Sequence, residues 1–288
     1  MSQPIIVDQP GETKANMDAI YGEADPRAYF RELGKLDYRI PELAKPIFER
    51  IVGLLRRERP APIHALDLGC SYGINGALLK HGRSIDELGN HWSRPEIAAA
   101  DSAEVIAADR DYFDPARADD DLVLLGLDVS RPAIDYAEQA GLIDKGLAIN
   151  LETQPLPGDA HSLLETVDLV MSTGAVGYVT EATFERLLPA VTTSNPPWIG
   201  NFVLRMFPFD AIDETLSRWG YVTEKLEGHS FIQRSFASSE EEQRILAELE
   251  SIGLDPTGLE DEGNLHAEFF LSRPRAQAGL TVNELLAA

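Results

Sequence analysis

Ile63-His-Ala-Leu-Asp-Leu-Gly-Cys-Ser-Tyr-Gly-Ile-Asn-Gly-Ala-Leu-Leu79 is the stretch on which the reading of this chain turns. Its first half is an apolar run suited to a buried strand, its middle carries Gly69, Gly73 and Gly76, and its end reads as the opening of a helix. Strand, glycine turn and helix together let a backbone approach a nucleotide, because a Cβ in the turn would obstruct the chain reversal or the ligand. Asp67, inside the strand end, narrows the choice of ligand. A phosphate is held by bare N–H groups at a helix N-terminus, and a carboxylate beside it would repel it. An acid here suits a ligand with a cationic or hydroxyl-rich head.

The rest of the chain fits a small-molecule protein. Its 288 residues, 44% of them hydrophobic, suffice for one large α/β domain with additions. A formal net charge of −23 argues against nucleic acid and against an anionic membrane surface, leaving small molecules or cationic partners. No apolar run is long enough to span a bilayer. Cys70 is the only cysteine, which excludes an intramolecular disulfide and a cysteine metal cluster, and the histidines show no metal-ligand spacing, so no metal is expected. The first residues show neither a basic start nor a signal-length apolar core, so a cytoplasmic protein is expected. The oligomeric state stays open, a homodimer being one option.

Three further segments carry ligand-type residues at strand ends. Leu122-Val-Leu-Leu-Gly-Leu-Asp128 is a second strand closed by an acid and followed by Val129; a carboxylate in that place can accept two ribose hydroxyls. Gly146-Leu-Ala-Ile reads as a third strand leading to Asn150 and Leu151. Val167-Asp-Leu-Val-Met-Ser-Thr173 reads as a fourth strand whose exit loop holds Gly174 and Tyr178. Ligands of open α/β sheets lie at the carboxyl ends of strands, which places Ser172, Thr173 and Tyr178 near the reacting centre.

Leu66-Asp-Leu-Gly-Cys-Ser-Tyr-Gly-Ile-Asn-Gly76 resembles the first motif of class I S-adenosylmethionine (SAM)-dependent methyltransferases, acid-x-Gly-x-Gly-x-Gly, with Ser71 standing where the second glycine is usual. The resemblance implies an α/β fold: a Rossmann-like, doubly wound, seven-stranded sheet whose last strand is antiparallel, with SAM as the bound ligand. It implies that Asp67, Gly69, Cys70, Ser71, Gly73 and Val129 line the ligand, that Asp128 meets its ribose, and that Ser172 and Thr173 lie near its methionine end. The family commonly has an aspartate on the adenine amino group and an apolar residue against the ring; here those positions read Asn150 and Leu151, and an amide can both accept and donate.

The resemblance also organises the flanks. Residues 1–60 are expected to form a helical lid from which Tyr21, Tyr29, Tyr38 and Arg39 reach the ligand, ordinary core packing being the alternative for each aromatic. Asp25-Pro26 opens one helix, and Pro41 opens a second whose apolar face reads Leu43, Ile47, Ile51, Leu54 and Leu55. Residues 61–275 make the SAM-binding domain, with an insert at about 81–121 between the first helix and the second strand. That insert, holding a helix around Ala98–Ala108, either covers the site or decorates the surface. Residues 276–288 form a weakly specified tail.

Methyl transfer is an in-line displacement for which a protein mainly supplies alignment and a dry site. Tyr178 is the candidate for chemistry, its face holding a sulfonium by cation–π attraction or its hydroxyl orienting a substrate; packing at a helix start is the alternative. His229, in the loop after the strand expected at Tyr221–Leu226, is the one histidine considered as a base. The leading expectation is a SAM-dependent methyltransferase acting on a small-molecule acceptor, of the kind met in secondary metabolism. A weaker resemblance, to the methyltransferase-like azetidine-2-carboxylate synthases, implies a SAM-consuming cyclase that releases methylthioadenosine. A third expectation, a SAM-binding module without turnover, is motivated by Ser71 and Asn150.

Overall fold

Uninterrupted apolar runs make strands that are buried on both faces, as a parallel sheet covered by helices requires. β1 (Ile63–Leu68), β2 (Leu122–Asp128), β4 (Leu169–Thr173) and β5 (Trp198–Leu204) are such strands, and the short, half-exposed β3 (Lys145–Ala148) joins them in parallel at the sheet edge. β6 (Tyr221–Lys225), β7 (Phe231–Ser235) and β8 (Asn264–Pro274) complete an eight-stranded sheet. The computed structural model describes residues 20, 22–59, 61–114 and 119–287.

The strand order is β3-β2-β1-β4-β5-β8-β6, with β8 antiparallel to both its neighbours and β7 pairing its first residues. This is the doubly wound sheet expected, and β8 is its antiparallel last strand. β7 is an addition to the seven expected strands, pairing with the start of β8. The direction of winding reverses between β1 and β4, so the crevice for a ligand opens at their carboxyl ends.

Helix Ile40–Glu58 covers one face and carries a proline in its first turn, where a missing N–H costs nothing. It buries Ile40, Ala44, Phe48, Ile51 and Leu55, a stripe rotated from the one expected, and Leu43 is exposed. The rotation follows from Phe48, whose ring packs edge-on against Phe202 and Phe269 at 5.6 and 6.2 Å, over the space left by the missing side chain of Gly200. The opposite face is covered by helices Glu181–Val191 and Asp210–Arg218. The tail is firmly built, contrary to expectation: helix Val282–Ala287 buries Val282 and Leu285 in the first core, and Asn283 exchanges two hydrogen bonds with the backbone of Glu227.

The insert folds as helices Ile85–Trp92, Pro95–Ala98 and Ser102–Phe113. The expected Ala98–Ala108 helix starts later because Asp101 caps it, accepting from the Glu104 N–H while the Glu104 carboxylate accepts from its own. Asp109 anchors the insert. Fully buried, it accepts from His91 Nε2 at 2.5 Å, Trp92 Nε1 at 2.9 Å and the hydroxyl of Tyr136 at 2.7 Å, the last on the helix after β2. Arg94 donates to His91 Nδ1, which leaves the proton of that imidazole on Nε2 facing Asp109. Arg27 then ties the N-terminal segment to the insert, forking onto Asp25 and donating to the carbonyls of Ile97 and Ala100 at 2.9 and 2.8 Å. An open cleft of about 670 Å³ lies between these two pieces, walled by Phe30, Trp92 and Arg31.

Candidate functional site

The loop after β1 is left-handed at three points: Gly69 (φ +77°), Ser71 (φ +49°) and Gly73 (φ +77°). Ser71 thus adopts a conformation that favours glycine, which explains why glycine is usual there. Crowding fixes the true glycines. A Cβ on Gly69 would sit 2.6 Å from the Cβ of Ala175, one on Gly73 would sit 2.9 Å from the Cβ of Leu142, and one on Gly76 would run into the Leu142 carbonyl oxygen.

Asp67 sits fully buried beneath this loop. Its Oδ1 accepts from Asn75 Nδ2 at 3.0 Å, and the same amide donates to Thr173 Oγ1 at 3.1 Å. Its Oδ2 has no protein partner. Burial pushes the carboxyl up to about 7; the Asn75 hydrogen bond opposes the shift, and the charge of Asp128 adds to it. Asp128 ends β2 and uses its oxygens to order two turns, accepting from the Ser71 N–H at 2.8 Å and the Ser130 N–H at 2.9 Å. Burial raises its pKa while those N–H groups pull it down. The Val129 N–H also lowers it, and a carboxylate, with about four lone-pair sites, keeps capacity for a hydroxyl donor.

Around these acids the expected residues divide. Thr173 lies on the face of Asp67. Ser172 does not: Asp67 pairs with Met171 across the sheet, so the next residue points to the opposite face, where buried Ser172 stands beside buried Asn201. Val129 is 67% exposed beside Asp128, and Tyr178 is 48% exposed in the loop leaving β4. Asn150 has turned its amide oxygen to the Glu152 N–H at 2.9 Å, so what it can offer a ligand is its Nδ2 and one lone pair. Leu151 is buried in the second hydrophobic cluster of the sheet. Cys70 is buried with its Sγ against Gly126, and burial pushes its thiol pKa up.

The N-terminal aromatics reach the site as packing. Tyr29 is buried edge-on to Tyr38 at 6.0 Å and to Tyr72 at 5.8 Å. Tyr72, within the loop after β1, donates its hydroxyl toward the carbonyls of Ile20 and Glu23 at 2.9 and 3.0 Å, pinning the N-terminal segment over the loop. Burial pushes the Tyr38 hydroxyl up to about 12, against a hydrogen bond with Tyr29 and aided by nearby Asp67. Arg39 is exposed and paired with Asp37, while its backbone N–H donates to the Gln233 carbonyl. His229 is exposed in the β6–β7 loop with Nδ1 on the Glu227 carbonyl, and no hydrogen bond described for it leads to Asp67. Tyr21 lies outside the described residues.

Sequence reasoning missed Asn75, Tyr72 and Gln233. Asn75 and Tyr72 stand inside the decisive stretch, but their roles depend on Thr173 and Ile20, which only the fold brings near. Among the described residues no group of acids, histidines or cysteines is arranged to hold a metal ion, and no helix is long and apolar enough to cross a membrane.

No family model matches the chain, and no curated protein matches it. Solved structures do. It is similar to a TehB-like SAM-dependent methyltransferase from Corynebacterium glutamicum at 16% identity, covering 77% of this chain and 86% of that one with a TM-score of 0.35. A magnesium protoporphyrin IX methyltransferase from Synechocystis PCC 6803, solved with bound SAM, matches at 10% identity over 88% of each chain, TM-score 0.40. The plantazolicin methyltransferase BpumL, in complex with a triazolic desmethylPZN analog and S-adenosylhomocysteine, matches at 13% identity over 92% of this chain and 98% of that one, TM-score 0.41. Likeness of this degree leaves the function to be argued from the residues of the site.

Proposed function

We propose that the chain is a SAM-dependent methyltransferase acting on a small-molecule acceptor. One observation carries this reading: Asp67, fully buried at the end of β1, keeps a carboxylate oxygen without a protein partner under a loop bent for close ligand approach. A buried acceptor left unpaired costs about 1–3 kcal/mol, and a ligand ammonium removes that cost. SAM brings such an ammonium, a ribose diol for Asp128 and a methyl group on a strong leaving group. The residues therefore fit it: Asp67 for the ammonium, Asp128 for the hydroxyls, Val129 and Asn150 for the adenine. The protein's contribution is alignment and exclusion of water, for which the Tyr29–Tyr38–Tyr72 cluster and the docked insert are suited. Tyr178, exposed at the β4 exit, is the side chain offered to the acceptor or the sulfonium.

Calorimetry with S-adenosylhomocysteine tests the reading, and absence of binding refutes it. Incubation with SAM alone, read by mass spectrometry, then separates transfer from cyclisation. Unchanged SAM that binds is the expected result, whereas methylthioadenosine above the chemical background with a new amino acid would establish the cyclase instead.

A further inference from the structure

Gln233 is placed on β7, the strand added to the expected sheet, and its position there is unusual. The pairing of β7 with β8 slips between Ile232 and Arg234, so Gln233 is the extra residue of a bulge. Bulges re-aim a side chain out of the ladder. The free edge of β7 takes the N-terminal segment, with the Arg39 N–H donating to the Gln233 carbonyl at 2.8 Å and the Ser235 N–H donating to the Leu36 carbonyl at 2.7 Å. The buried Arg234 forks onto Glu241 at 2.6 and 2.9 Å and fixes the strand from the other side.

The side chain of Gln233 is 1% exposed, and its Oε1 has no protein partner. It reaches the exit of β4: Gly174, at φ +80°, has room for no Cβ, which would collide with Gln233 Nε2. Gly174 follows Thr173, whose Oγ1 shares the Asn75 amide with Asp67. Tyr38 stands near enough to feel the charges of both Asp67 and Arg234. Two buried acceptors without partners, Asp67 Oδ2 and Gln233 Oε1, thus belong to side chains that meet the end of β4, one through Asn75 and Thr173 and the other at Gly174.

We infer that Gln233 is a ligand-binding residue, its Oε1 accepting from the α-ammonium that Asp67 also receives, so that the bulged β7 supplies half of the ammonium subsite. This inference rests on the SAM reading above. An ammonium has three N–H donors and can satisfy both oxygens at once, whereas a ligand carboxylate would be repelled by the pair.

The test uses the full chain and two probes. S-Adenosylhomocysteine carries the ammonium; methylthioadenosine shares its adenosine but lacks the amino acid. Gln233→Met, which replaces an unpaired amide by an apolar chain of similar length, is expected to weaken S-adenosylhomocysteine at least tenfold in calorimetry and to leave methylthioadenosine within about twofold. Gln233→Glu keeps the acceptor and is expected to restore the preference for S-adenosylhomocysteine. A wild-type protein that binds both probes, with an unchanged ratio in Gln233→Met, overturns the inference alone. Parallel loss of both probes in Gln233→Met, with no recovery in Gln233→Glu, overturns it too by assigning a structural role. A wild-type protein that binds neither probe overturns the SAM reading and this inference with it.

Discussion

Asp67→Asn is the substitution in which stability and binding should move in opposite directions. In the unfolded chain the carboxyl titrates near 3.8, and in the fold burial holds it at about 7. A folded-state pKa above the unfolded one means that the native state prefers the protonated form. The associated stability is therefore complete below about pH 4 and is lost as pH rises through about 7. The distance between 3.8 and about 7 corresponds to roughly 4 kcal/mol at 1.36 kcal/mol per tenfold, an upper value because local relaxation reduces it. Asparagine has the same shape and no charge at any pH, and its oxygen can still accept from Asn75. The ligand-free variant should therefore be more stable than the wild type at pH 8, by about 2–4 kcal/mol, which for a domain of this size raises Tm by roughly 5–10 °C. At pH 4 the two should coincide. Ligand reverses the order, because an ammonium pairs only with the ionised acid. S-Adenosylhomocysteine affinity of the wild type should rise about tenfold between pH 6 and pH 8, as ionised Asp67 goes from roughly a tenth to nine-tenths of the population. In Asp67→Asn that pH dependence should vanish, with affinity at pH 8 reduced at least tenfold. Scanning calorimetry from pH 4 to pH 8, with and without ligand, reads all of these. Equal wild-type and variant Tm across that range would refute the argument that Asp67 is an uncompensated buried acid.

Ser71→Gly should raise stability by about 0.5–1 kcal/mol in urea unfolding, since relief of a left-handed serine outweighs the added freedom of the unfolded chain. Asp128→Ala should cost about 1–2 kcal/mol, because the N–H groups of Ser71 and Ser130 lose their acceptor, and should weaken S-adenosylhomocysteine at least tenfold by calorimetry. Asp109→Leu leaves His91, Trp92 and Tyr136 without their shared acceptor and should cost about 3–5 kcal/mol; limited proteolysis should then cut first within 81–121. Tyr178→Phe should leave S-adenosylhomocysteine affinity within about twofold, since the ring face is retained, whereas Tyr178→Ala should reduce SAM affinity if the ring meets the sulfonium.

What the sequence by itself determined is local or periodic. The apolar runs at 63–68, 122–128 and 169–173 became β1, β2 and β4 because an uninterrupted run of branched side chains is stable only between two covered faces. Asp67 and Asp128 were legible as candidate ligand acids because each stands at the carboxyl end of such a strand, and Gly69 and Gly73 as turn glycines because only glycine takes their φ without strain. Tertiary structure decided what depends on neighbours distant in the chain. Gln233 lies more than 160 residues from Asp67, on a piece of strand with no sequence signal for a bulge, and nothing local shows that it meets Gly174. Helix Ile40–Glu58 turned its stripe to seat Phe48 over Gly200, a choice its own periodicity does not contain. Ser172, beside Thr173 in the chain, was carried to the opposite face by the pleat once β4 paired with β1 in one register. Asp109, one acid among many in a polar insert, became an anchor because three donors from two separate elements close around it. Such groupings arise from packing over long sequence separations, which is why they could be read only from the fold.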